Sequence, residues 1–179
     1  MPRLAWLVGV LTLSASSLLI GSSGSTGAAP VPRQSPELAF VEASGKLARL
    51  SSFKGRVVVI EFMLTTCRSC LSVAESMTRL HGELGSRGFQ PILIALDNGI
   101  AAPAVTSFVN EWKLAGTAGF APSSDVDKYL GRSAGERFRV PQMVVIDRAG
   151  VIRAQSPGTG DPRLERESAL RSLIDKLLR

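Results

Sequence analysis

Cysteine and histidine are scarce in this sequence: two cysteines and one histidine occur among its 179 residues. This scarcity argues against a closed zinc site, which needs four ligands, and against an iron–sulfur cluster, which needs more thiolates. Covalent haem attachment needs a histidine directly after a Cys-x-x-Cys pair, and Leu71 stands there instead. We therefore expect no metal site, and the cysteines require another explanation.

Basic runs are also lacking, although the formal net charge is +6. Lysine and arginine are scattered among acidic residues, as over 163–167, and no basic stretch is interleaved with aromatic residues. Nucleic-acid-binding proteins instead concentrate positive charge in a patch or a run. We predict no nucleic-acid partner, and a generally cationic surface that tunes encounters with acidic partners.

The two cysteines stand together as Cys67-Arg68-Ser69-Cys70, directly after an apolar run over 57–64. Apolar side chains then recur on one face of a 3.6-residue period. They are Val73, Ala74, Met77, Leu80 and Leu84. The pattern predicts a buried strand, a short turn, and a helix that begins at the paired thiols.

A helix start favours a reactive thiolate, because unpaired backbone N–H groups and the positive end of the helix dipole stabilise negative charge. We therefore predict that Cys67 is the nucleophile and Cys70 the resolving thiol. A purely structural disulfide is the alternative. It would stabilise the fold little, because so small a loop constrains the unfolded chain little.

Glu61 is the only acidic residue in the apolar run over 57–64. A carboxylate is costly to bury, so it either faces water or is kept for chemistry. Burial would raise its pKa and suit it to accept the proton of Cys70 through a bridging water. We predict a catalytic role for Glu61, with an edge carboxylate as the alternative.

The N-terminus has the features of an export signal: a positive charge at Arg3, an apolar stretch over 4–20, and small residues after it. Cleavage is favoured because the small residues over 26–29 suit it, and an uncleaved membrane anchor is the alternative, since 4–20 falls only just short of the roughly 20 residues that span a bilayer. Either outcome places the protein outside the cytoplasm, and we predict the periplasm.

These features divide the chain into three parts. We predict a signal peptide or membrane anchor over 1–29, a flexible linker over 30–36, and one domain over 37–179. Within the domain, strand and helix signals alternate, which implies parallel strands joined by right-handed crossovers. Hairpins are predicted at 38–50 and 143–153, strands at 57–64 and 91–96, and helices at 71–84, 105–114, 125–130 and 170–178.

The order of these motifs resembles the thioredoxin superfamily, and in particular its exported TlpA/ResA-like thiol–disulfide oxidoreductases. The resemblance covers Leu38 to the C-terminus. It rests on 50–59, on Glu61-Phe62 before the cysteine pair, and on Val140-Pro141 before 143–150. It implies an α/β, thioredoxin-like three-layer sandwich, with a mixed central sheet flanked by helices and an N-terminal hairpin.

The resemblance also implies a substrate-binding set. Pro141 would be the cis-proline that faces the disulfide and, with Val140, shapes the groove where the substrate backbone docks. Thr66 and Arg68 flank Cys67 and complete the set, with Thr66 at a position where the family usually has tryptophan. This departure leaves the thiol chemistry intact and bears on partner specificity.

The favoured function is an extracytoplasmic thiol–disulfide oxidoreductase that needs no organic cofactor. Its partners would be protein dithiols and disulfides and a membrane electron donor, with membrane contact only through the N-terminal anchor. Two alternatives stay open. A peroxiredoxin-like peroxidase needs proline and threonine where Ile60 and Leu64 stand, and a Cu(I)-binding assembly factor would use Cys67 and Cys70 as ligands.

Overall fold

The computed structural model describes residues 29–133 and 136–179, so the predicted signal peptide or anchor lies outside the described residues except for Ala29. Within those ranges, eight strands form one sheet. They are β1 (Arg33–Gln34), β2 (Ala39–Glu42), β3 (Leu47–Arg49), β4 (Val57–Met63), β5 (Phe89–Ala95), β6 (Thr117–Phe120), β7 (Gln142–Ile146) and β8 (Val151–Gln155). The helices are α1 (Arg68–Leu84), α2 (Ala102–Trp112), α3 (Ser123–Leu130), α4 (Pro162–Glu165) and α5 (Glu167–Leu177).

The sheet is mixed, with the strand order β1-β8-β7-β4-β5-β6-β2-β3. The central strands β4, β5 and β6 are parallel, as the alternation of strands and helices predicts, and β7 adds to β4 in the antiparallel direction. Every residue of β4 and β5 is buried. Strands in the middle of a sheet covered on both faces have this apolar composition.

Successive side chains of β4 enter two cores on opposite faces of the sheet, as strand geometry requires. Val57, Val59 and Met63 pack on the side of α1 and α5, and alternate residues such as Ile60 and Phe62 pack on the side of α3. Two helical layers and one sheet give the predicted three-layer sandwich. Glu61 stands between Val59 and Met63 in this alternation and therefore faces the α1 layer.

Both predicted hairpins form. β2 pairs with β3, and β7 with β8 across the four-residue loop over 147–150. The predicted stripe of α1 is entirely buried, and the stripe of the last helix packs mainly through Leu170 and Ile174. The Val140–Pro141 peptide bond is cis, as the resemblance implies.

The structure differs from the predictions at two places. The predicted flexible linker over 30–36 contains the edge strand β1, because Arg33 and Gln34 pair with β8. Strand β6 was not predicted. Trp112, the last residue of α2, is 42% exposed.

No helix in the described ranges is long and apolar enough to cross a membrane.

Candidate active site

The paired cysteines lie where β4 gives way to α1 and are joined by a disulfide, with their Cα atoms 5.2 Å apart. Cys70, in the first turn of the helix, is completely buried, whereas Cys67 is partly exposed. A partner can therefore reach Cys67 alone. The difference in exposure matches the predicted division between an attacking and a resolving thiol.

Cys67 is the N-cap residue of α1, and the backbone N–H of Cys70 donates to its Sγ atom at 3.2 Å. The hydroxyl of Ser69 lies 3.3 Å from the same sulfur. A thiolate at this position would gain the amide hydrogen bond and the field of the helix N-terminus. The local structure therefore favours a reactive Cys67, as the sequence predicts.

The loop before Cys67 is fastened by Asp97, a residue that sequence reasoning did not single out. Its carboxylate accepts from the backbone N–H of Thr65 at 3.0 Å and from the Thr65 hydroxyl at 2.8 Å. Asp97 follows β5, the parallel neighbour of β4, so the two loops leave the same edge of the sheet. A polar residue directly after a buried parallel strand is the signal that could have revealed it.

Glu61 is fully buried on the face of β4 that packs against α1, the same core that contains Cys70. Neither carboxyl oxygen has a hydrogen-bond partner among the described residues. Burial, and after it the charge on Glu165, raises the pKa of Glu61 well above the ordinary value of 4.5. The interpretation of Glu61 as a solvated edge carboxylate is therefore wrong.

The predicted substrate-binding residues fall in two depressions. Thr66 and Arg68 are exposed and line a groove of about 380 Å³ that includes Cys67. Val140 lines a separate apolar cleft of about 200 Å³ with Leu64, and no cysteine lines that cleft. Pro141 itself is buried at the start of β7. Leu64 lines the cleft, and the next residue, Thr65, lines the groove, so consecutive residues of one loop line the two depressions.

Comparison with known proteins identifies the family of this chain. The Redoxin family profile matches residues 29–174. The chain belongs to the redoxin family. Among curated relatives of this redoxin, the thiol-disulfide oxidoreductase ResA of Bacillus thuringiensis subsp. konkukian is 24% identical over 128 residues, which cover 72% of this chain and 70% of ResA.

Solved structures confirm the thioredoxin-like fold. The thiol:disulfide interchange protein of the thioredoxin family from Chlorobium tepidum has a TM-score of 0.64 at 20% identity, covering 85% of this chain and 100% of that one. A thiol:disulfide interchange protein from Bacteroides sp. has a TM-score of 0.66 at 19% identity, covering 85% and 91%. With its family, fold and Cys67–Cys70 disulfide, this redoxin is a thiol–disulfide oxidoreductase.

Two further features of this redoxin were missed by sequence reasoning. Trp112 lines the groove beside Cys67, although it comes from α2. Glu165, at the end of α4, has one buried carboxyl oxygen without a partner, while its other oxygen lies 3.5 Å from Arg139. Neither residue stands in a motif, and both reach the site through the tertiary fold.

Proposed function

We propose that this protein exchanges disulfides with partner proteins outside the cytoplasm. The Cys67 thiolate attacks a partner disulfide, forming a mixed disulfide and releasing one partner thiolate. The Cys70 thiolate then attacks Cys67 Sγ, which forms the internal disulfide and releases the second partner thiolate. Two electrons pass to the partner, and the reverse sequence oxidises a partner dithiol.

One observation carries this proposal: the two bonded sulfurs differ in access, with Cys67 at the surface and Cys70 fully buried. A partner sulfur reaches only Cys67, so the mixed disulfide forms there. Cys70 is then protected from outside thiols and needs only to attack its neighbour. A purely structural disulfide does not need one accessible and one buried sulfur beside a groove of about 380 Å³.

Glu61 is the proposed proton acceptor for Cys70. Both groups face the same core, and the unpartnered carboxyl oxygens of Glu61 leave it free to take the thiol proton through a water. Its raised pKa brings its proton affinity closer to that of a thiol, which is what transfer between the two requires.

The two alternatives are less well supported. A peroxidase would need proline and threonine at the upstream positions where Ile60 and Leu64 stand, but Ile60 is an apolar residue buried in β4 and Leu64 lines the apolar cleft. A Cu(I)-binding role calls for stoichiometric metal binding by the reduced protein. Titration of the reduced protein with Cu(I) tests it: tight one-to-one binding without exchange activity would replace our proposal.

The extracytoplasmic location and a membrane electron donor belong to the same proposal. The apolar sequence over 4–20 supports export. A maleimide that does not cross the inner membrane, applied to intact cells after mild reduction, should label the protein at Cys67. Labelling that occurs only after lysis would place the domain in the cytoplasm.

Equilibration with glutathione buffers tests whether the disulfide is exchangeable and measures its potential. Arg68 is exposed next to Cys67, so its charge stabilises the thiolate, and with it the reduced form, only weakly. We expect Arg68→Ala to lower the potential by about 20 mV or less. A rise in potential would contradict this electrostatic role, and a disulfide that never equilibrates would contradict exchange itself.

Trp112 should contribute to partner binding, because exposed aromatic side chains beside a reactive centre provide contact area. We expect Trp112→Ala to raise KM for a protein disulfide about tenfold, with little change in the reaction with a small disulfide. Leu47→Ala removes an exposed apolar side chain on β3 and is the matched control. Equal effects of the two variants would remove Trp112 from the docking surface.

A further inference from the structure

Glu165 and Glu61 lie at the same end of the sheet, although α4 and β4 are far apart in sequence. Met143 of β7 is the register partner of Glu61, and Arg139, just before β7, lies 3.5 Å from the carboxylate of Glu165. The remaining Glu165 oxygen is buried without a partner, as are both oxygens of Glu61. Unpartnered buried carboxyl oxygens are costly, so two such residues together call for a functional explanation.

The surroundings of Glu61 contain few charges. Its neighbours across the sheet are Leu93 on β5 and Met143 on β7, which are apolar. Glu165 on α4 is the charged group that acts on Glu61, Cys70 on α1 faces the same core, and Arg139 pairs with Glu165. Glu61 therefore has a like charge as its neighbour instead of a compensating cation.

We propose that Glu165 is a positioning residue that controls when Glu61 can accept the proton of Cys70. The inference rests on the proposed function. The proton leaves Cys70 Sγ for a Glu61 oxygen through water, and the charge of the Glu165 carboxylate sets the pH at which that oxygen is free to accept it. Arg139 lies 3.5 Å from the outer oxygen of Glu165, and its side chain is 54% exposed.

The direction of each charge effect follows from its sign. The negative charge of Glu165 makes Glu61 hold its proton more strongly, so removing that charge lowers the pKa of Glu61. Arg139 offsets part of the Glu165 charge, so removing the guanidinium acts in the opposite direction. Two neutralising substitutions at one ion pair should thus shift the same pH profile in opposite senses, which a general loss of structure would not do.

The test follows reduced protein mixed with Ellman's reagent. The first release of chromophore reports attack by Cys67, and the second, independent of reagent concentration, reports resolution by Cys70. We expect Glu165→Gln to move the pH profile of the second phase down by roughly one unit. Arg139→Gln should move it up by less, and Glu167→Gln, at an exposed pair with Arg79, should leave it unchanged.

Making the Glu165→Gln substitution in the Glu61→Gln protein tests whether Glu165 acts through Glu61. In Glu61→Gln protein, adding Glu165→Gln should produce no further shift. A Glu165→Gln profile that coincides with wild type, or a shift that persists without Glu61, would overturn the role of Glu165. Failure of the wild-type protein to show the second phase would instead refute the proposed function.

Discussion

Cys70→Ser protein, produced in an exporting cell, will accumulate mixed disulfides with its partners through Cys67. The partly exposed Cys67 still attacks, but the buried thiol that resolves the intermediate is gone, so the adduct persists. Multiple-turnover exchange should fall to background. Non-reducing gels followed by mass spectrometry measure the adducts and identify the partner proteins.

Cys67→Ser is the matched control for this trap. It retains a thiol at Cys70, but that side chain has no exposed surface through which a partner disulfide could be attacked. We expect no adducts from it. If Cys67→Ser accumulates adducts as readily as Cys70→Ser, the assigned roles of the two cysteines are reversed or shared.

Glu61→Gln should have the second largest effect, because it removes the proposed proton acceptor while keeping the size of the side chain. On the high-pH plateau, resolution by Cys70 should slow on the order of 100-fold, the usual contribution of a general base. Attack by Cys67 should change little. Rates of the two phases against pH measure this, and identical profiles for wild type and variant would assign Glu61 no part in exchange.

The same substitution should alter how stability depends on pH. The pKa of Glu61 is raised in the folded protein, chiefly by burial and then by Glu165, above the ordinary 4.5 of the unfolded chain. Above about pH 4.5 the unfolded chain releases a proton that the folded protein keeps, so stability falls as pH rises toward the folded pKa. The Glu61→Gln protein has no carboxyl at this position, so it does not lose this part of its stability as pH rises. The unfolding midpoint of Glu61→Gln relative to wild type should therefore rise between pH 4 and pH 8.

Elements with a strong local pattern could be predicted from the sequence. The burial of the α1 stripe and of the apolar runs of β4 and β5 could be predicted, because the spacing of apolar side chains along the sequence follows the repeat of a helix or a strand. Strand β6 carries no such pattern. Its small residues are explained by packing, since a Cβ atom at Gly119 would collide with the carbonyl oxygen of Val41 on β2. Only the assembled sheet shows that constraint.

The residues of the candidate site likewise differ in whether a local sequence pattern reveals them. Glu61 could be found because a single carboxylate interrupts an apolar run, which is conspicuous in a sequence. Glu165 could not, because charged residues surround it and exposure is the ordinary expectation there. Its surroundings include Arg139, which is distant in sequence and is brought to Glu165 by tertiary folding, and the turn at Gly160.

The most direct test of the account is turnover of a protein disulfide. Reduction of insulin by dithiothreitol should be accelerated by catalytic amounts of wild-type protein, and the acceleration should be lost in both Cys67→Ser and Cys70→Ser. That result would show that the Cys67–Cys70 pair cycles between dithiol and disulfide while transferring electrons to a protein. Wild-type protein that reduces insulin no faster than the variants would contradict the account.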